Sequence, residues 1–82
     1  MRLDFSPHFV RSYNKAGERI QRAFDKQSRL LVQDLWHPSL RAKKYDEGAD
    51  LWQARVTAAW RFYRKIVGDT YRLEEIKAHP KK

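Results

Sequence analysis

Cysteine is absent from the 82-residue chain, which excludes disulfides, thiolate chemistry and cysteine-based zinc sites and agrees with a reducing interior. Long hydrophobic runs are missing as well. Nothing approaches the roughly 20 apolar residues of a membrane span, and the opening MRLDFSPHFV, with its Asp4 and its proline, has no apolar run of signal-peptide length. Repeats and low-complexity segments are also lacking. The histidines, His8, His37 and His79, are scattered and have no metal-ligand spacing, so neither a metal nor another cofactor is expected. These absences lead to the expectation of one soluble, cytoplasmic domain over residues 1–82, with a single modest core and little stability to spare.

Negative charge is the other scarcity. Lys and Arg number 18 against 10 acids, a net charge of +8. A small domain this basic is drawn to polyanions, of which nucleic acid is the commonest inside a cell. A membrane surface is a poorer match, because no amphipathic helix with one dense cationic face is present.

Hydrophobic spacing sets out the elements. Leu3 and Phe5 alternate with Arg2 and Asp4, a short first strand. Ser6-Pro7 then supplies an N-cap and a proline at the first helical position, and Phe9, Val10 and Tyr13 form a short helical stripe. Ala16-Gly17 breaks it. A longer helix follows with Ile20, Ala23, Phe24, Leu31 and Leu35 on one face and Gln27 polar in its middle; His37-Pro38 should stop it. Residues 37–50 read as a polar connection with a basic centre at Arg41, Lys43 and Lys44. LWQARVT and WRFYRKIV then alternate as strands, and Gly68-Asp69 is a hairpin signal. YRLEEIKA is the last strand, its alternation broken at Glu74-Glu75, where a bulge or strand edge would sit.

The fold class is therefore α+β, β-α-α-β-β-β: two N-terminal helices packed on one face of a small, mainly antiparallel sheet. In WRFYRKI, Trp60, Phe62, Arg64 and Ile66 share one face, and Arg61, Tyr63 and Lys65 share the other. The helices should cover the apolar residues Trp52, Val56, Trp60, Phe62 and Ile66. Gln53, Arg55, Arg61, Tyr63 and Lys65 are then left on an open, cationic and aromatic face. Such a face can be merely solvated. Arginines on adjacent strands beside a tyrosine favour a phosphate site, because guanidinium groups grip phosphate in a planar, bidentate way.

The segments LDFSPHFVRSYNK, HPSLRAKKY, LWQARVTAAWRFYRKI and YRLEEIKAHPKK, in that order, resemble the RelE/ParE superfamily of bacterial toxins from type II toxin–antitoxin pairs. The similarity covers nearly the whole chain, and its strongest part is the arginine-bearing strand pair. The RelE branch, which the resemblance favours, implies a metal-independent endoribonuclease that cuts ribosome-associated mRNA and inhibits translation. Its partners would be mRNA, the ribosome and an acidic cognate antitoxin in a toxin–antitoxin hetero-oligomer. The ParE branch implies instead a poison of DNA gyrase that acts by protein contact. A non-toxic RNA-binding relative is the third reading.

For the nuclease, the resemblance implies roles residue by residue. Arg61 matches the strand arginine that would stabilise the transition state, and Arg55 the second basic phosphate contact. His79 falls where many members carry a histidine or tyrosine for proton transfer, although a solvated tail residue is its other reading. Lys43, Lys44, Gln53, Lys65 and Lys77 would contact RNA. Tyr63 would stack on a base or serve only in packing. Glu74 or Glu75 would act as a base or sit in a salt bridge to Arg72, while His8 and His37 are read as structural. Many members continue past the last strand with an acidic or tyrosine-bearing segment where this chain ends HPKK. If that segment carries the general acid, the departure implies a weak or inactive nuclease that still binds RNA or antitoxin.

Overall fold

The computed structural model describes residues 2–34 and 36–78; Leu35 and His79 lie outside the described residues. Strand β1 (Arg2–Phe5) leads into helices α1 (Pro7–Lys15) and α2 (Glu18–Gln33) and a 3-10 turn at Pro38–Leu40. Four strands follow: β2 (Lys43–Asp46), β3 (Leu51–Arg55), β4 (Trp60–Val67) and β5 (Thr70–Ala78). All five strands form one sheet in the order β1-β5-β4-β3-β2. Strand β1 runs parallel to β5, and the other neighbours are antiparallel.

Local chemistry explains the helical layer. Ser6 caps α1: its hydroxyl oxygen accepts the Phe9 N–H at 3.0 Å and donates to the Glu74 carbonyl at 3.2 Å. Capping satisfies a backbone donor that the helix itself leaves free, and here it also fastens the helix to β5. Ser12 adds a second tie, accepting the Ile76 N–H at 3.1 Å. Gly17 joins the helices at φ 85°, a conformation open to glycine and costly for other residues. The stripes of the two helices then meet the sheet. Phe9 lies 5.1 Å from Phe24, and Phe24 stands edge-on to Phe62 at 5.3 Å between ring centroids. Ile20, Leu31, Leu40, Ala54, Val56, Tyr71, Leu73 and Ile76 complete the buried cluster.

Gln27, the polar residue in the α2 stripe, is buried. Its Nε2 donates to the Ser39 carbonyl at 3.0 Å and to the Arg55 carbonyl at 2.8 Å. The amide thereby holds the 3-10 turn and the end of β3 against α2, and satisfies two carbonyls that would otherwise be stranded away from water.

Three features differ from the sequence reading. Residues 37–50 are not only a connection: β2 forms within them and makes one edge of the sheet. Its residues, KKYD, are mostly charged, as is common for an edge strand whose free side must not pair with another chain. Helix α2 ends at Gln33, before His37-Pro38, with Asp34 already extended at φ −157°. Arg64, on the helix-facing side of β4, is 0 % exposed. Its guanidinium carbon lies 5.3 Å from the Trp52 ring centroid and 4.8 Å from that of Tyr71. The break in β5 is a bulge: Tyr63 pairs with Glu75 and Arg64 with Leu73, so Glu74 is the extra residue. Buried positions along β5 accordingly step from Tyr71 and Leu73 to Ile76.

Candidate nucleic-acid interface

The sheet face turned away from the helices is organised in rows by strand register. Arg55 of β3 stands opposite Arg61 of β4, which stands opposite Lys77 of β5. Neighbouring strands are about 4.8 Å apart, so three cations lie side by side. Like charges opposite one another across strands are unfavourable. Among the described residues no carboxylate pairs with Arg55 or Arg61, while Lys77 reaches only Glu75 at 3.8 Å. Burial first, and then the neighbouring Arg55 and Arg41 charges, lower the Arg61 pKa from its ordinary value. The guanidinium remains charged, and its environment favours an added anion.

Arg61 is also held in place. The four-residue turn 56–59 between β3 and β4 gathers backbone carbonyls, and Arg61 Nη1 donates into that group. It lies 2.7 Å from the Thr57 oxygen, 3.0 Å from that of Trp60 and 3.2 Å from that of Ala58. One nitrogen is thus occupied by the turn. A fixed guanidinium loses little freedom on meeting an oxyanion, the preorganisation that electrostatic catalysis requires. Arg41 adds to the field from the 3-10 turn, in the left-handed region at φ 46°. Non-glycine residues held there store strain, and such strain clusters at functional sites.

The next row runs Lys43, Gln53, Tyr63 and Glu75. Gln53 and Tyr63 are 5 % and 3 % exposed, so the centre of this face is covered, contrary to the open surface expected. The cover is Tyr45 of β2, whose ring centroid is 4.9 Å from that of Tyr63. Lys77 Nζ lies 5.2 Å from the Tyr63 ring. Burial, then Tyr45 and Glu75, raise the Tyr63 pKa. Glu75 is engaged by His8, whose Nε2 is 3.0 Å away, and Glu74 pairs with Arg72 at 3.2 Å. His37 accepts the Ser39 N–H at the start of the 3-10 turn.

The fold therefore brings together Arg55, Arg61 and Lys77, with Lys43, Gln53 and Tyr63 in the adjoining row. Lys65 lies further along β4, opposite Arg72, about 13 Å from Arg61 at strand spacing. Lys44 does not join them. It shares a face with Trp52, bonds to Asp50 and lies over the Trp52 ring at 4.9 Å. Strand alternation separates it from Lys43. Asp50 is held below its ordinary pKa by that hydrogen bond to Lys44. Arg41 and Tyr45 went unassigned in the sequence. Only the basic run around Arg41 hinted at the first, and nothing local marks the second. Among the described residues no group of His, Cys, Asp and Glu could hold a metal ion, and no helix is long and apolar enough to cross a membrane.

No family model and no curated protein matches the chain. Solved structures do. A YoeB/ParE toxin from Agrobacterium tumefaciens superposes with a TM-score of 0.80 at 15% identity, over 98% of this chain and 100% of that one. YafQ in the E. coli DinJ–YafQ complex gives 0.79 at 16% identity, over 96% and 94%. The YoeB dimer from Staphylococcus aureus gives 0.79 at 10% identity, over 98% of each chain. What these structures share with the chain is the arrangement of two helices on a five-stranded, mostly antiparallel sheet, and the chain thus has the RelE/ParE-like toxin fold.

Proposed function

We propose that the chain is the toxin of a toxin–antitoxin pair, a metal-independent endoribonuclease that cuts ribosome-associated mRNA. The observation that carries this reading is the Arg55–Arg61 cross-strand pair, which has no described counter-ion and is fastened on one side to turn carbonyls. In the proposed reaction a ribose 2′-oxygen bonds to the adjacent phosphorus and the bond from phosphorus to the 5′-oxygen breaks. The products are a 2′,3′-cyclic phosphate and a 5′-hydroxyl. One group takes the 2′ proton and another supplies a proton to the leaving oxygen. Arg61 and Arg55 stabilise the charge that builds on the non-bridging oxygens. His79 is assigned to proton transfer. Lys43 and Lys77 track the backbone, and Gln53 and Tyr63 support the surface from beneath.

The E. coli DinJ–YafQ complex is a toxin–antitoxin complex that contains this fold. For this chain we infer an acidic antitoxin that covers the cation row, since +8 of charge attracts an opposite potential. Poisoning of DNA gyrase by protein contact is the second reading. It is favoured by the engagement of Glu75, the carboxylate nearest the row in register, with His8 and Lys77. Primer extension on transcripts after induction separates the two readings. Cuts within codons are expected; intact transcripts accompanied by cleaved DNA would establish the gyrase reading and overturn the nuclease.

A further inference from the structure

Tyr45 is a residue of this face that neither the core nor the cation row explains. It sits at the register shift of β2: Lys44 is opposite Trp52 and Asp46 is opposite Leu51, and Tyr45 between them has no partner. A bulge in an edge strand re-aims a side chain. Here the ring reaches across β3 to Tyr63 of β4 and stands at 65° to it. Tyr63 is thereby buried, yet Tyr45 itself remains 53 % exposed. The result is an aromatic ring braced from behind and open in front. Arg61 is two residues from Tyr63 along β4, about 7 Å at strand spacing.

We propose that Tyr45 is the base-stacking platform of the interface: when Arg55 and Arg61 hold a phosphate, the neighbouring unpaired nucleobase lies on the exposed face of its ring. The inference rests on the RNA reading above and adds the class of ligand, a single strand with an unstacked base. A duplex keeps its bases stacked and offers no free face. Stacking on an aromatic ring tolerates any base, since every base has a π-face, so Tyr45 contributes affinity and leaves base identity to other contacts.

The test measures binding of a short oligoribonucleotide carrying one 2-aminopurine, and of the same oligomer with an abasic site in its place. The proteins are wild type, Tyr45→Ala, Tyr45→Phe, Tyr45→Leu and Arg61→Ala. Tyr45→Ala should weaken binding of the base-containing oligomer on the order of 10-fold and abolish the quenching of 2-aminopurine. Tyr45→Phe should bind as wild type. Tyr45→Leu, which keeps an apolar cover over Tyr63, should behave as Tyr45→Ala. The abasic oligomer should bind all Tyr45 variants alike. Equal losses on both oligomers would show that Tyr45 only supports the fold, and would overturn the proposal. Unchanged binding by Tyr45→Ala with weakened binding by Arg61→Ala would overturn it too, while leaving the phosphate site standing. No effect from either variant would remove both.

Discussion

Replacing Arg64 by methionine should leave the fold intact and make it more stable. The Arg64 guanidinium is fully buried, and its Nε, Nη1 and Nη2 have no hydrogen-bond partner among the described residues. Removing a guanidinium from water costs several kcal/mol after relaxation. Two aromatic rings, Trp52 and Tyr71, offset part of this, at about 2 kcal/mol each when desolvated. Burial lowers the Arg64 pKa from its ordinary value, the same penalty seen from the proton's side. Methionine has similar length, carries no charge and makes sulfur–aromatic contacts of about 0.3–1.5 kcal/mol each. Arg64→Met should therefore be neutral or stabilising by about 1–4 kcal/mol, and each kcal/mol corresponds to about 4–8 °C in a domain of this size. Arg64→Ala should instead cost about 2–5 kcal/mol through the cavity it leaves. Arg64→Lys adds a check on sign. A buried lysine has its folded-state pKa depressed, so the unfolded chain binds the extra proton. Stability should then rise with pH between that lowered value and the ordinary lysine value of about 10.4. Thermal melts of the three variants across pH decide the matter. An Arg64→Met protein destabilised by more than about 2 kcal/mol, on the scale of a broken buried ion pair, would show that the guanidinium is satisfied, and would refute the reasoning.

Gln27→Leu should cost about 1–3 kcal/mol per carbonyl left unsatisfied, because Ser39 and Arg55 both lose their donor; chemical denaturation measures it. Affinity for single-stranded RNA should fall steeply with salt, the slope growing by about 0.7 per phosphate neutralised, and a salt-independent affinity would exclude a phosphate-contacting row. Lys44→Ala should leave that slope unchanged, because Lys44 lies on the helix-facing side with Asp50, whereas Lys43→Ala should lower it.

The parts of the fold legible in the sequence are those where burial imposes a period. Trp60 and Phe62 against Arg61 and Tyr63 mark the two faces of β4, since one face meets the helices. Ser6-Pro7 marks the start of α1 because an N-cap is local chemistry. Glu74-Glu75 shows the bulge in β5 as a broken alternation. Strand β2 left no such trace. At the sheet edge Lys43, Lys44 and Tyr45 bury too little apolar surface to set a pattern, and their place follows from pairing with β3. The candidate site divides in the same way. Arg55 and Arg61 were readable as neighbours, because two short-linked strands fix their register. Arg41 and Tyr45 reach the site through a left-handed turn residue and a bulge, neither of which alternation reveals. The burial of Arg64 was hidden for a related reason: its face was legible, but the rings of Trp52 and Tyr71 meet around it only in the folded sheet.

The rate of mRNA cleavage on programmed ribosomes by Arg61→Ala, measured beside its melting temperature, tests the proposed role of the arginine pair most directly. Arg61 is half-buried and lies on the sheet face turned away from the helices. Its hydrogen bonds to the Thr57 and Trp60 carbonyls disappear in the variant, but so does its repulsion with Arg55, and stability should change by about 1 kcal/mol or less. Cleavage should fall on the order of 100-fold or more, as when a preorganised transition-state donor is removed. An Arg61→Ala protein that is folded and cleaves at the wild-type rate, or a wild-type protein that cleaves nothing, would contradict it.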